Sequence, residues 1–85
     1  MRNLEFDSAA FDDFTWWVQH DRKMALRVIR MLKETQVDPF GGIGKPEPLK
    51  HQYSGCWSKR IDDEHRLVYQ VRDDRIYVLA CRYHY

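Results

Sequence analysis

The chain is short of most features that settle a protein's class at sight. It has two cysteines, Cys56 and Cys81, too few for a disulfide framework. Both fall in strand-like stretches and read as small buried apolar residues of a reducing compartment. Cys81-x-x-His84 is not a zinc-knuckle spacing and no second cysteine pair accompanies it, so neither a metal nor a cofactor is expected. No apolar run is long enough to cross a bilayer, and Met1-Arg2-Asn3-Leu4-Glu5-Phe6-Asp7 has no signal core. The chain therefore reads as soluble and cytoplasmic, with no membrane partner. A dominant charge is missing too. The formal net charge is +1, which excludes a strongly basic nucleic-acid domain. Residues 1–40 carry six basic and seven acidic side chains, and residues 41–85 carry eight and six, so a local basic surface is confined to the second half. Repeats, linkers and low-complexity tracts are absent.

What is present is one domain's worth of patterned chain, residues 1–85. A domain this small has a thin core, and Trp16, Trp17 and Trp57 supply much of its area. Asn3 to Phe6 alternates and reads as a short strand, with Leu4 and Phe6 on one side. Asp7-Ser8 offers an N-cap, and Phe11, Phe14, Trp17 and Val18 recur near helical spacing, which predicts a helix over 9–19 with an aromatic face. Asp21 can cap a second helix over 22–36, where Ala25, Val28, Ile29 and Leu32 follow an i, i+3, i+4, i+7 pattern. Its other face carries Lys23, Arg27 and Arg30. Such a face is most often solvated, but it also suits an acidic partner or RNA.

All three prolines and three of the four glycines fall between Asp38 and Leu49. They exclude helix and sheet interior there. Glu47 lies between Pro46 and Pro48, on a stiff segment flanked by Lys45 and Lys50. A surface glutamate in a loop is the commoner fate, yet a stiff loop also suits a catalytic carboxylate. Three strands follow. Trp57/Lys59/Ile61 alternate against Cys56/Ser58/Arg60, and His65/Leu67/Tyr69/Val71 against Arg66/Val68/Gln70. In Ile76 to Cys81 both alternating faces, Ile76/Val78/Ala80 and Tyr77/Leu79/Cys81, are apolar, as in a strand covered on both sides. Asp62-Asp63 and Asp73-Asp74 make the turns. The expected fold is α+β, ordered β-α-α-β-β-β. An antiparallel sheet carries two helices on one face, toward Leu67, Tyr69 and Val71. Arg60 and Arg66 then point to the open face.

The last strand runs into Arg82-Tyr83-His84-Tyr85. This tip reads equally well as a charged, aromatic end that keeps the final residues soluble. Taken with the open face, however, it gathers Glu47, Lys50, Arg60, Arg66, His84 and Tyr85. A carboxylate and an imidazole serve as general base and acid. Cationic groups bind a phosphate and stabilise charge developing on it. An aromatic ring stacks on an unpaired base. No metal is needed if the nucleophile is the neighbouring 2′-hydroxyl of RNA.

Four stretches carry a resemblance over nearly the whole chain. They are Gly44-Lys45-Pro46-Glu47-Pro48-Leu49-Lys50-His51, Ser54-Gly55-Cys56-Trp57-Ser58-Lys59-Arg60-Ile61, Glu64-His65-Arg66-Leu67-Val68-Tyr69, and Cys81-Arg82-Tyr83-His84-Tyr85. The sequence resembles the YoeB-type toxins of the RelE/ParE superfamily, most tightly from residue 44 onward. The resemblance implies a ribosome-dependent endoribonuclease that cuts the mRNA codon in the ribosomal A site, with a microbial-ribonuclease-like arrangement of groups. It implies Glu47 as general base, His84 as general acid and Arg66 as transition-state stabiliser. Lys50 and Arg60 would bind phosphate and Tyr85 would position the substrate. The implied partners are mRNA, the ribosome and a YefM-type antitoxin, and a homodimer is compatible. A tag after Tyr85 is expected to impair such a tip. Two other functions keep the fold: a ParE-like toxin that binds DNA gyrase without catalysis, and an RNA- or protein-binding module working through the basic helix.

Overall fold

The computed structural model describes residues 1–83; His84 and Tyr85 lie outside the described residues. The elements are β1 (Asn3–Phe6), α1 (Ser8–His20), α2 (Arg22–Val37), β2 (Glu47–Pro48), a single 3-10 turn (His51–Tyr53), β3 (Cys56–Arg60), β4 (Arg66–Val71) and β5 (Arg75–Ala80). The α+β class and both helices match the expectation. Asp7 caps α1 by accepting from Ala9 N, and Asp21 caps α2 by accepting from Met24 N. No helix among the described residues is long and apolar enough to cross a membrane.

The sheet order is β1-β5-β4-β3-β2. The β3-β4-β5 meander is antiparallel, as its tight turns require. Two details differ from the wholly antiparallel, four-stranded expectation. β1 runs parallel to β5, so the sheet is mixed. The reason is the handover to α1: Phe6 ends beside Val78, Asp7 N donates to Val78 O at 2.9 Å, and α1 then lies over the end of β5. The second detail is a fifth strand. Glu47-Pro48 pairs with Ser58 and Trp57 at the sheet's edge, the one place where a proline fits.

Both helices pack on one face. Ala10, Trp17, Ala25, Val28, Met31 and Leu32 meet Leu67, Tyr69, Ile76 and Val78 in the main core. A fully buried Leu, Ile or Val adds about 1.5–3 kcal/mol relative to an exposed one. The pattern over-assigned α1, however: Phe11 and Val18 are exposed, and the short Ala10 is buried in their place. The opposite face carries a smaller cluster of Leu49, Cys56 and Val68 with Tyr53, Leu79 and Ala80 against it. So β5 is covered on one face and only half-covered on the other.

A β-bulge corrects the parity of β5. Tyr69 pairs with Val78 but Val68 pairs with Ala80, so Leu79 is the extra residue. Leu79 and Ala80 both turn to the second cluster, and Cys81 swings back into the helix-side core, fully buried. Strict alternation had placed Cys81 opposite Val78. Both cysteines are free and buried, and burial pushes the Cys81 thiol up to about 12.

Candidate functional site

Cross-strand register brings together three of the six expected residues, Glu47, Arg60 and Arg66. On the face away from the helices, Glu47 lies opposite Ser58, which lies opposite Val68. One step along the same face, Arg60 lies directly opposite Arg66. Side chains so paired have Cβ atoms about 4.5–5.5 Å apart, and successive residues of one face are about 7 Å apart along a strand. Glu47, Arg60 and Arg66 thus occupy two neighbouring rows of one surface. Lys50 follows β2, exposed, at the start of the 3-10 turn. A groove of about 490 Å³ runs beside them, lined by Glu47, Pro48, Leu49, Lys50, His51, Gln52 and Tyr53. His84 and Tyr85, the remaining expected site residues, lie outside the described residues.

The electrostatics of this surface are unresolved from within. Two guanidiniums directly opposite each other repel. Neither Arg60 nor Arg66 has a side-chain hydrogen bond or ion pair among the described residues, and Arg66 Nε is buried without an acceptor. Ser58 Oγ, between Glu47 and Val68, is likewise buried and unsatisfied. Buried donors normally find partners. A rim of paired cations with an unused donor is therefore complementary to an anion with several acceptor oxygens, such as a phosphodiester.

The stiffness expected around Glu47 has a structural source. Gly44 O accepts from Arg60 N at 2.6 Å, tying the approach to β2 onto the end of β3. Gly44 adopts φ +95°, and a Cβ there would sit 2.7 Å from Arg60 O. Below it Lys59 is fully buried on the helix side and donates to Thr35 Oγ1 at 2.9 Å. Burial pushes this ammonium down, while Glu34 and Asp38 pull it back up. Tyr69 OH donates to Pro39 O and anchors the start of the Pro/Gly stretch.

The sequence pattern underrated one group of residues. His65 was placed on the core face with Leu67, and the structure makes it a buried anchor. Its Nδ1 accepts from Tyr83 N at 2.7 Å, and its ring meets Trp17 edge-on with centroids 4.8 Å apart. Trp17 Nε1 donates to Cys81 O at 2.7 Å, and Asp13 Oδ2 accepts from Cys81 N at 3.0 Å. Burial pushes the Asp13 carboxyl up, opposed by its bond from Cys81 N and by nearby Arg82. Arg82 itself lies 3.6 Å from the centroid of the Trp16 ring. Alternation and helical spacing indicated that these side chains face inward, but not that they would meet one another.

The basic face of α2 is not a uniform surface. Arg27 is half-buried and donates to Ile61 O, and Arg30 sits 4.0 Å from Glu34. Only Lys23 of the three is exposed with no such contact, which weakens a binding module built on this helix. No three His, Cys, Asp or Glu side chains among the described residues are grouped to hold a metal ion.

Two helices across one face of a five-stranded mixed sheet, with a cationic rim unpaired among the described residues on the other, define a small α+β protein. Comparison with known proteins places it further. The family described as YoeB-like toxin of bacterial type II toxin-antitoxin system matches residues 6–85. A Toxin YoeB of Mycobacterium bovis is 56% identical over 85 residues, covering 100% of both chains. A YoeB dimer from Staphylococcus aureus superposes with a TM-score of 0.91 at 42% identity, covering 99% of this chain and 98% of that one. A heterotetrameric YoeB-YefM toxin-antitoxin complex from Staphylococcus aureus gives 0.90 at 42% identity, covering 100% of this chain and 99% of that one. The chain belongs to the YoeB-like family and is the toxin of a type II toxin–antitoxin system.

Proposed function

We propose that this toxin is a metal-independent endoribonuclease that cleaves mRNA at the ribosomal A-site codon and so stops translation. The observation that carries the reading is the Arg60–Arg66 rim, unpaired among the described residues, one row from Glu47 on an open sheet face. Glu47, exposed on the edge strand, takes the proton from the ribose 2′-hydroxyl as that oxygen attacks the adjacent phosphorus. Arg66 stabilises the extra negative charge of the pentavalent transition state. Arg60 and Lys50 hold phosphate oxygens. His84 protonates the departing 5′-oxygen, and Tyr85 positions the substrate. The P–O5′ bond breaks as the P–O2′ bond forms, leaving a 2′,3′-cyclic phosphate and a 5′-hydroxyl end.

The near-neutral net charge suits a protein guided by a preformed ribosomal site rather than by bulk attraction to RNA. The reading extends to a YefM-type antitoxin as partner and to a homodimer, since the Staphylococcus aureus relatives form both assemblies. It is tested by primer extension on a defined mRNA, with and without ribosomes stalled at a known codon. The expected result is a new 5′ end inside the A-site codon, only with ribosomes, reduced about 10²–10⁴-fold by His84→Ala. Cutting of bare RNA at an equal rate would remove the ribosome from the mechanism. A folded protein that cuts under neither condition would overturn the nuclease reading in favour of a gyrase-directed or binding role.

A further inference from the structure

The backbone just before His84, beyond the end of β5, is held by side chains from distant elements together with one backbone bond from β4. β5 ends at Ala80. Cys81 then donates its N–H to Asp13 and accepts at its carbonyl from Trp17 Nε1, both from α1. Tyr83 donates its N–H to His65 Nδ1, and its carbonyl accepts from Arg66 N at 3.0 Å. Both residues are therefore tied at donor and acceptor alike, and Arg82 between them rests on Trp16. One of these anchors adjoins Arg66 in sequence. His65 is buried, packed against Trp17, and its accepting Nδ1 leaves Nε2 as the protonated nitrogen, facing Glu64 Oε1 at 3.4 Å.

We propose that His65 is a positioning residue of this toxin: its Nδ1 sets the distance between the Arg66 guanidinium and the C-terminal segment that continues into His84. The proposal rests on the nuclease reading above for its catalytic consequence. A burial role alone would ask only for an apolar ring at position 65. The hydrogen bond to Tyr83 N asks for an acceptor at one point, beside the strand residue whose own N–H holds Tyr83 O. An error of about 1 Å in such a spacing costs on the order of 100-fold in rate.

The two demands separate in two variants of the full-length protein. His65→Phe keeps an aromatic ring against Trp17 and removes the acceptor. His65→Asn loses the ring but keeps an oxygen where Nδ1 stood. Cleavage is measured on mRNA in stalled ribosomes, and exchange of the Tyr83 amide by NMR. For His65→Phe the expected result is kcat lowered about 10- to 100-fold, with KM little changed. Its Tyr83 amide should exchange faster, while amides of β3 and β4 keep their protection. His65→Asn should recover most of kcat. Wild-type kcat in His65→Phe despite rapid Tyr83 exchange would overturn the positioning role. So would equal losses in both variants with protection falling across the whole sheet, since that marks a purely structural residue. A silent wild-type enzyme would sink the nuclease reading and the catalytic half of the proposal with it. The exchange data would then still decide whether His65 holds Tyr83.

Discussion

The two faces of the sheet treat polar groups in opposite ways. On the helix side most buried polar groups are matched: Lys59 with Thr35, Thr35 with Met31 O, Tyr69 with Pro39 O, Trp17 with Cys81 O; the exception is Arg82 Nε beside Trp16, which has no acceptor among the described residues. On the other side Arg60 opposes Arg66, while Ser58 Oγ and Arg66 Nε are buried with no partner among the described residues. A fold selected for stability alone would pair or remove these groups, because each unsatisfied buried donor costs about 1–3 kcal/mol. The difference supports the proposed site: one face specifies the structure, and the other carries the cations assigned to the phosphate in the proposed reading.

The sharpest way to break this contrast is Arg66→Ala. On the proposed reading, cleavage at the A-site codon should fall about 10²–10³-fold or more. The melting temperature should hold or rise slightly, since a like-charge pair is relieved. Loss of activity accompanied by a large drop in melting temperature would show that Arg66 belongs to the structural set instead. Gly44→Ala tests the join between the two faces. Its Cβ would press on Arg60 O at 2.7 Å in a left-handed backbone. Denaturant unfolding should show a loss of about 1–3 kcal/mol, with cleavage also reduced because the segment leading to Glu47 shifts. Unchanged stability would mean that the stretch re-seats freely and that Glu47 is less rigidly held than its bonds indicate.

The smallest effect belongs to the matched face. Lys59→Met replaces a buried ammonium by an apolar side chain of similar length and should change stability little at neutral pH. Its signature is in the pH dependence. Burial lowers the folded-state pKa of Lys59, so the unfolded chain binds the proton more tightly. Wild-type stability then gains from Lys59 as pH rises from that lowered value toward about 10.4, the unfolded value. The advantage of Lys59→Met over wild type should therefore shrink as pH rises through this window. A difference that stays flat between neutral and alkaline pH would show that Lys59 is not destabilised by burial.

Much of this was legible in the chain. The parity of β3 and β4 assigned Leu67 and Tyr69 to the core and Arg60 and Arg66 to the open face, because a pleated strand allows no other arrangement once Trp57 and Ile61 face the core. Asp7 and Asp21 announced both helix starts. The bulge at Leu79 was not legible, since nothing in Ile76–Cys81 distinguishes a regular alternation from one with an inserted residue. The parallel placement of β1 escaped for a related reason. A four-residue strand joined to the sheet through two helices carries no local mark of its partner's direction. His65 showed only that it faces inward.

By itself the sequence determined the class of fold, both helices, the strands of the β3-β4-β5 meander, the face each side chain of β3 and β4 takes and the family to which the chain belongs. These follow from local periodicity, capping chemistry and motifs that each lie within a few residues. Only the tertiary structure decided that Glu47 joins the sheet as an edge strand opposite Ser58 and that Cys81 returns to the core. It also decided that Asp13, Trp17 and His65 converge on residues 81–83. Those facts depend on contacts between residues as many as 71 positions apart, where packing and hydrogen-bond satisfaction act among elements that no local pattern connects.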